Sequence, residues 1–521
     1  MHQTLRKLRV LFFKQVMKNP SPQKYLLIFW SVNLALAVIK LFFAFRPELD
    51  LFTEEAQYWL WSRNLDWHYY SKPPMVAVLN FISTGILGHK EVAIRMIPIL
   101  AGLGTAWIVF RFTDYLYSSK KTACLAGLLF LGMPIHLLEF TFHTTDTSMT
   151  FFWTWAWFML YRAIQENKTS LWVAAGLITA LGIMSKATMI LIFPASLIFL
   201  FLSGKLKEAG KQWLILLGIS LLGFLPSLIW NLQNDFYTFK HLAALGGASG
   251  GEPKPFDLGL LVSRTSEYLS GQLAMVSVFF LPFFFFAVKK TIRSRELSSF
   301  YVALPGLLTF LGFGGLSLFT WIEVNWPGFA YSTFPVFLAP VVANMESGWK
   351  KYTSWAVGVS LALQILLLSP NIFQWKSQGP IFKAEKAIFK RMVGYEDLGN
   401  RIDFLQDSLG LSSPVLFSES YHVASELAFY VDGHPQPYTI NMGSRKNQWD
   451  LWPGMDQFIG QERTFIFVSR GQESPESVTN FGRLIYEEKY PHAFRSDTLG
   501  FTKIQIWEDL LDYTPVDTGK F

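Results

Sequence analysis

Two adjacent acids and a lysine lie close together in a segment that is rich in aromatic residues. Glu54 and Glu55 are neighbours, and Lys72 follows in the run Tyr69-Tyr70-Ser71-Lys72-Pro73-Pro74. The prolines stiffen the backbone, so they would hold the lysine in a fixed position, where it suits a phosphate group. A lysine that extends from the membrane interface toward water would have the same surroundings, and both interpretations stay open.

The two acids are predicted to begin a short interfacial helix over residues 53–63. Neighbouring helical positions point about 100° apart, so Glu54 and Glu55 would not face one site together. Glu54, Tyr58 and Trp61 would share a face. One acid is therefore expected to be catalytic and the other structural, although acids in a first turn also stabilise the helix dipole.

Three further charged residues are candidates on the same side of the chain's predicted membrane arrangement. Asp146 opens the fourth predicted span, Lys186 lies between the fifth and sixth, and Arg95 is at the outer end of the second. A charge at a span end costs free energy unless it is capped, paired or used. Asp146 therefore fits either an N-cap or a functional acid, and the two cations are candidate phosphate ligands.

The elements that must position these residues are membrane helices. The 521 residues are 51% hydrophobic and 16% charged, the mean hydropathy is +0.28, and the apolar residues form long blocks. A bilayer core requires about 17 to 25 mostly apolar residues per helix. About eleven spans are predicted, near 25–45, 94–117, 122–139, 146–164, 170–184, 187–203, 213–231, 272–288, 298–319, 327–345 and 353–370.

The distribution of basic residues predicts the orientation of these spans. Lysine and arginine are concentrated before the first span and in alternate connections, the pattern expected of cytoplasmic loops. The net charge of +7 is explained in this way, and nucleic acid is not an expected partner. We predict a basic cytoplasmic N-terminus at 1–24, a membrane domain at 25–375 that includes the outer loop 46–93, and a periplasmic domain at 376–521.

The C-terminal region is predicted to be a small α/β domain. Short β-rich runs at Pro414–Ser418, Tyr438–Asn441, Thr464–Ser469 and Lys503–Trp507 alternate with helical stretches such as Tyr421–Tyr430. Polar residues on this domain, among them His422, Asp432 and His434, are interpreted as ordinary surface residues. The glycine-rich run at 246–255 is predicted to be a connector or, less plainly, a lid over a site.

Several segments, taken in order, resemble the GT-C glycosyltransferases of the protein O-mannosyltransferase and aminoarabinose lipid A transferase type. The family usually has an Asp-Glu pair in its first outer loop, where this chain has Glu54-Glu55. The remaining likeness lies in Lys72-Pro73-Pro74, Arg95 in Ala93–Pro98, Thr144-Thr145-Asp146, Lys186 in Ser185–Thr188, Asn325-Trp326-Pro327, Ser425–Tyr430 and Gly443–Gly454.

The resemblance implies a fold, an activity and roles for particular residues. The fold would be a polytopic GT-C helical domain, and a monosaccharide would pass from polyprenyl phosphate to an envelope lipid, glycan or protein at the periplasmic face of the inner membrane. No cofactor or metal ion is expected. Glu54 would be the base, Asp146 would share that role or position the acceptor, and Glu55 would support them. The substrate-binding residues would be Lys72, Arg95, Lys186, Tyr58, Tyr70 and Asn325.

Two other classes of protein fit part of the pattern. A transporter or flippase of lipid-linked sugars would also carry charges near span ends, but here the candidate charges collect at one face and no inverted repeat is evident. A membrane scaffold that binds partners through its tail would leave Glu54, Lys72 and Lys186 without a shared explanation. Transfer of a labelled sugar separates an enzyme from both classes.

Overall fold

A computed structural model describes residues 21–245, 257–368, 391–471, 473–494 and 497–519. The predicted basic N-terminus lies almost entirely outside this part of the chain. The glycine-rich run at 246–255 and the predicted domain boundary near residue 375 also lie outside it.

The membrane domain is a bundle of helices with a continuous apolar core. The core is built from large side chains such as Trp153, Trp157 and Tyr301, all fully buried. The helices, numbered in chain order, are α1 (Pro22–Ala44), α2 (Thr53–Arg63), α3 (Met75–Leu87), α4 (Glu91–Tyr117), α5 (Lys120–Gly132), α6 (Pro134–Glu139), α7 (Thr145–Glu166), α8 (Thr169–Ser185), α9 (Ile192–Leu202), α10 (Leu206–Leu221), α11 (Leu225–Gln233), α12 (Tyr237–Leu245), α13 (Leu258–Val276), α14 (Leu281–Ser294), α15 (Leu297–Ser317), α16 (Phe334–Val342) and α17 (Ser347–Leu367).

Length and composition mark fewer spans than the sequence pattern predicts. In the described residues, four helical segments are long and apolar enough to cross a bilayer, and one bent pair of helices could form a fifth span. The four are Pro22–Ala44, Glu91–Tyr117, Leu206–Gln233 and Leu297–Ser317. Several shorter apolar helices pack beside them. The protein is therefore an integral membrane protein, while the count of about eleven spans stays a prediction.

Two predicted spans are wrong in their form. The predicted span 272–288 falls on a bend of 75° between α13 and α14, where Ser277 has a φ of 78°. The predicted span 122–139 is divided before Pro134, which begins α6. Proline cannot donate the helical hydrogen bond at that position and clashes with the preceding turn. A count of apolar residues does not detect either break.

The long outer loop folds into two helices, as its composition suggested in part. The helix α2 covers the residues that the sequence predicted for it. At its start, the side chain of Glu55 accepts a hydrogen bond from the backbone N–H of Phe52 at 3.0 Å. The apolar helix α3 follows; the sequence predicted interfacial helices in this loop but gave no bounds for this second one. The loop is thus a packed part of the membrane domain.

The C-terminal domain contains a five-stranded mixed sheet with helices packed against it. The strands are β1 (Val415–Ser418), β2 (Tyr438–Thr439), β3 (Thr464–Ser469), β4 (Thr479–Phe494) and β5 (Asp497–Tyr513), in the order β2-β1-β3-β5-β4, with helices α18 (Tyr395–Ser408) and α19 (Tyr421–Tyr430). The first pairs are parallel, and β5 is antiparallel to both of its neighbours. The predicted α/β character is present in the described residues.

The C-terminal domain packs on the outer loop through α19. Ala424, Ala428 and Phe429 of this helix share a buried apolar cluster with Trp59 and Leu60 of α2. Polar contacts reinforce the joint: the hydroxyl of Tyr430 accepts a hydrogen bond from the backbone N–H of Leu51 at 2.6 Å and donates one to Glu91. The first turn of α19 also lies near the first turn of α2, since the charge of Glu54 acts on Tyr421 and His422.

Candidate active site

Glu55 is a buried structural acid. Its side chain is fully buried and lies 3.5 Å from the guanidinium of Arg95. It also accepts a hydrogen bond from the backbone N–H of His143 at 2.8 Å, in addition to the bond from Phe52. Burial raises the pKa of Glu55, and the neighbouring Arg95 opposes that rise. One side chain therefore ties α2 to α4 and to the loop before α7.

Arg95 belongs to α4 and packs against the outer loop. It is fully buried, and besides Glu55 it contacts Glu91 at 3.2 Å. It also donates hydrogen bonds to the backbone carbonyls of Leu49 and Asp50. These contacts favour a structural role for Arg95 over the predicted role as a phosphate ligand. The sequence did not indicate this, because all of these partners except Glu91 are contributed by a loop 40 or more residues earlier in the chain.

Asp146, Lys186 and Asn325 meet although they belong to three separate elements. Asp146 is in the first turn of α7, Lys186 follows the end of α8, and Asn325 precedes the short helix Gly328–Thr333. Lys186 donates to one carboxylate oxygen of Asp146 at 2.5 Å, and Asn325 donates to the other at 2.8 Å. Both oxygens of Asp146 are therefore engaged, and the charge of Lys186 is largely compensated.

Lys72 is a half-buried cation that has no such partner. Within the described residues its ammonium group makes no ion pair or hydrogen bond, whereas its backbone closes a turn with Tyr69. The pKa of Lys72 is lowered to about 8, chiefly by burial and also by the nearby charge of Lys186, while Asp146 and Glu54 oppose the shift. Lys72 thus lies near three of the predicted site residues and retains an uncompensated charge.

Glu54 has surroundings that differ sharply from those of Glu55. Its side chain is half-buried, and one carboxylate oxygen accepts a hydrogen bond from the hydroxyl of Thr53 at 2.9 Å. Its charge acts on Lys72, Tyr58, Tyr421 and His422. Glu54 is therefore open toward the same space as Lys72, and its remaining lone pairs can accept a proton.

Two tyrosines that the sequence predicted to bind substrate lie near these charged groups and have different contacts. Tyr58 is buried beside Trp61, and burial raises its pKa, with Glu54 and Asp146 adding to the rise. The backbone N–H of Tyr70 donates to the side chain of Gln448 at 2.6 Å. Tyr58 therefore lies beside Glu54 and Asp146, and Tyr70 connects the outer loop to the C-terminal domain.

Residues of the C-terminal domain complete the site, and sequence reasoning missed them. His422 was interpreted as a surface residue, but its side chain is half-buried and its Nδ1 is buried without a partner in the described structure. Tyr421 stacks near it, with ring centroids 4.1 Å apart. Both lie at the start of α19 and close to Glu54. The run Tyr421-His422 carried no motif that would have marked it.

Metal ligands do not form a cluster in the described part of the chain. No group of three or more His, Cys, Asp and Glu side chains there has an arrangement that could hold a metal ion. The titratable groups that do converge are two carboxylates, Glu54 and Asp146, and two lysines, Lys72 and Lys186. This set can bind an anion and accept a proton at adjacent positions.

Comparisons of sequence find glycosyltransferases. A family model described as dolichyl-phosphate-mannose-protein mannosyltransferase matches residues 71–230. A lipid A galacturonosyltransferase of Rhizobium johnstonii is 25% identical over 79% of this chain and 83% of its own length. An undecaprenyl phosphate-α-4-amino-4-deoxy-L-arabinose arabinosyl transferase of Proteus mirabilis is 23% identical over 44% of this chain and 48% of its own length.

Comparison of structures extends the likeness to almost the whole chain. The crystal structure of ArnT from Cupriavidus metallidurans bound to undecaprenyl phosphate superposes with a TM-score of 0.62 and 13% sequence identity. The match covers 94% of this chain and 99% of ArnT, so the membrane bundle and the C-terminal domain share one architecture in both proteins. In sequence and in fold the chain is therefore similar to glycosyltransferases of the protein O-mannosyltransferase and aminoarabinose lipid A transferase type, the resemblance that its motifs indicated.

Proposed function

We propose that the protein transfers a monosaccharide from a polyprenyl phosphate to an acceptor hydroxyl or phosphate on an envelope lipid, glycan or protein. The observation that carries this proposal is the half-buried Lys72 ammonium, which has no ion pair among the described residues and lies near the open carboxylate of Glu54. The relatives that match the sequence are named for transfer from undecaprenyl phosphate or to lipid A. They favour a transferase over a transporter of lipid-linked sugars.

Lys72 is proposed to hold the phosphate of the lipid carrier. As the bond between the sugar and the phosphate breaks, the phosphate leaves with the electron pair and gains negative charge. A preplaced cation in a partly dry site stabilises that charge more strongly than water does. Lys186 contributes less, because Asp146 already compensates it at 2.5 Å.

Glu54 is proposed to be the base. The acceptor hydroxyl attacks the sugar carbon opposite the leaving phosphate, and Glu54 takes the hydroxyl proton as the new bond forms. A carboxylate placed across from the leaving group performs the same task in inverting glycosidases. The longer side chain of glutamate, compared with the aspartate usual in the family, moves the carboxylate further from its helix.

Asp146 and Asn325 are proposed to shape the sugar site. Both oxygens of Asp146 accept hydrogen bonds, so this acid is fixed in place and has fewer free lone pairs than Glu54. It can still accept a hydrogen bond from a sugar or acceptor hydroxyl through a remaining lone pair. Glu55 and Arg95 are proposed to hold the loop that carries Glu54.

The acceptor that we favour is a lipid of the lipid A class. The Rhizobium relative, which is named for lipid A, aligns with most of the chain. The site would face the periplasm, because the basic connections Lys205–Lys211, Lys289–Arg295 and Lys350–Lys351 are expected on the cytoplasmic side. The proposed location is the inner membrane, with the C-terminal domain outside.

The test is transfer of a radiolabelled sugar by the purified protein in lipid nanodiscs. Undecaprenyl-phosphate donors that carry galacturonic acid or 4-amino-4-deoxyarabinose are supplied with lipid A, and extracted envelope glycolipids and glycoproteins serve as further acceptors. Glu54→Gln should lower the turnover number by about 10²–10⁴, the usual contribution of a general base, while binding of undecaprenyl phosphate is kept. Glu323→Gln, on a different loop, is a control for the loss of a carboxylate.

Two outcomes would count against the proposal. Failure of the wild-type protein to transfer any of these sugars to any acceptor would reject the transferase activity with these donors. Turnover of Glu54→Gln at the wild-type rate would reject Glu54 as the base and leave the transferase activity intact.

A further inference from the structure

The segment Gly443–Gly454 of the C-terminal domain lies against the turn that carries Lys72. Its contact point is the hydrogen bond from the backbone N–H of Tyr70 to the side chain of Gln448, 2.6 Å long and shielded from water. Trp452 of the same segment packs beside Tyr58 and Trp61. This segment therefore places Arg445, which precedes Gln448 by three residues, close enough to Tyr70 and Lys72 for its charge to act on both.

Arg445 has no carboxylate partner among the described residues, although acids lie close to it in sequence. The neighbouring Lys446 pairs with Asp517 at 2.9 Å. The two oxygens of Asp450 accept hydrogen bonds from the side chain of Asn441 and the backbone of Asn447, at 3.1 and 2.7 Å. The Arg445 side chain is exposed, so its guanidinium is available to an anion that enters from the periplasm.

Tyr421 and His422 are the polar groups that face this arginine. Burial raises the pKa of Tyr421, and the adjacent Arg445 guanidinium opposes the rise. The Nδ1 atom of His422 is buried without a partner in the described structure, and the same arginine and Glu54 act on its ring. A guanidinium, a phenol and an imidazole thus converge beside the proposed base, and each can donate a hydrogen bond to an oxyanion.

We propose that Arg445, Tyr421 and His422 form a subsite for a phosphate group on the acceptor glycolipid, beside the carrier phosphate held by Lys72. This inference rests on the proposed function. The carrier's lipid tail must reach the hydrocarbon, which suits the membrane-domain cation Lys72. Arg445 belongs to the aqueous domain. An acceptor whose phosphate binds there would extend its reactive group toward Glu54.

The experiment measures binding separately from transfer. The full-length protein in nanodiscs is titrated with bisphosphorylated lipid A, with the same lipid A after enzymatic dephosphorylation, and with undecaprenyl phosphate. Arg445→Gln should weaken binding of bisphosphorylated lipid A by about 10- to 100-fold, as expected for loss of a charge-assisted hydrogen bond. Its binding of undecaprenyl phosphate should weaken much less, because Lys72, the proposed ligand of the carrier phosphate, is intact.

Two further variants show whether the charge itself matters. Arg445→Lys keeps the charge and should recover part of the affinity. Arg463→Gln is the matched control, since Arg463 is an exposed arginine of the same domain whose side chain contacts Gln461 and Phe458. It should bind all three lipids as the wild type does.

The subsite is overturned if the wild type binds both forms of lipid A equally or binds neither. It is also overturned if Arg445→Gln binds bisphosphorylated lipid A as the wild type does, or loses undecaprenyl phosphate to the same extent. Sugar transfer by the same wild-type preparation is recorded in parallel with all of the acceptors. A protein that transfers sugar but fails the lipid A comparison would reject the subsite alone, whereas absence of transfer would reject the proposed function.

Discussion

Glu54 and Glu55 are adjacent in the chain and have opposite surroundings. Helix geometry alone was enough to predict that they would differ, because consecutive positions point about 100° apart. The contacts favour a structural role for Glu55, which is fully buried against Arg95, whereas Glu54 is half-buried and open. Which residue would bind Glu55 could not be predicted, since the pairing depends on how the loop returns to α4.

The charge of Lys72 predicts a pH dependence of the reaction. In the free protein this lysine has a pKa of about 8, so the ammonium is present below that pH and lost above it. The ratio kcat/KM for the donor should therefore fall above about pH 8. The corresponding fall in kcat should occur at a higher pH, because a bound phosphate stabilises the ammonium. Steady-state rates between pH 6 and 10 measure both limbs.

The variant Lys72→Arg tests the assignment of that limb. Arginine stays charged throughout the range, so the fall near pH 8 should disappear even if the absolute rate is lower. A wild-type kcat/KM that is constant from pH 7 to 9.5 would contradict the role of Lys72. Circular dichroism at each pH serves as the control for loss of structure.

Among the helices and strands, several were predicted from the sequence with the correct bounds, whereas breaks and bends within helices were not predicted. The bounds of α2, α19 and β3 agree with the prediction, since each combines a clear periodicity with residues that end it. The long hairpin of β4 and β5 was predicted only in part, because neither strand alternates cleanly: most of β4 is exposed or half-buried, and the residues Ile504 to Trp507 of β5 are all buried. The bend at Ser277 was missed for a related reason: it depends on tertiary packing rather than on a proline or glycine.

The junction between α2, α4 and the loop before α7 gives a prediction about stability. Glu55→Gln leaves Arg95 buried with one fewer carboxylate and weakens the two backbone hydrogen bonds to residue 55. Breaking a buried ion pair costs about 3–5 kcal/mol, so the thermal midpoint in detergent should fall by several degrees. Glu54→Gln, which removes a half-buried acid from the same turn, should change it little. Equal midpoints for Glu55→Gln and the wild type would contradict the structural role of Glu55.

At the scale of the whole molecule, the site is assembled from both domains. Three elements of the membrane bundle bring Asp146, Lys186 and Asn325 together, and the order of these motifs along the chain was enough to predict a shared site. The contribution of Tyr421, His422 and Arg445 was not predictable, because it depends on docking of α19 against α2 across about 370 residues of sequence. Closure by the second domain explains how a site at the membrane surface is partly shielded from water.

The proposed orientation of the molecule can be tested by labelling single cysteines. The one native cysteine, Cys124, is buried, so a Cys124→Ala background is expected to fold and to give no signal. In that background Ser477→Cys, an exposed position in the C-terminal domain, should react with a membrane-impermeant maleimide in intact spheroplasts. Ser294→Cys, exposed at the end of α14 beside Arg293 and Arg295, should react only after permeabilisation.

These two positions separate the possible arrangements of the chain. Labelling of Ser294→Cys in intact spheroplasts, with Ser477→Cys protected, would invert the topology and place Glu54 and Lys72 at the cytoplasmic face. Labelling of both variants would place the end of α14 and the C-terminal domain on the same side of the membrane, which requires an even number of crossings between residues 294 and 477. Only labelling of Ser477→Cys alone agrees with a periplasmic site, because the first turn of α2 and the C-terminal domain are packed together and must lie on the same side of the bilayer.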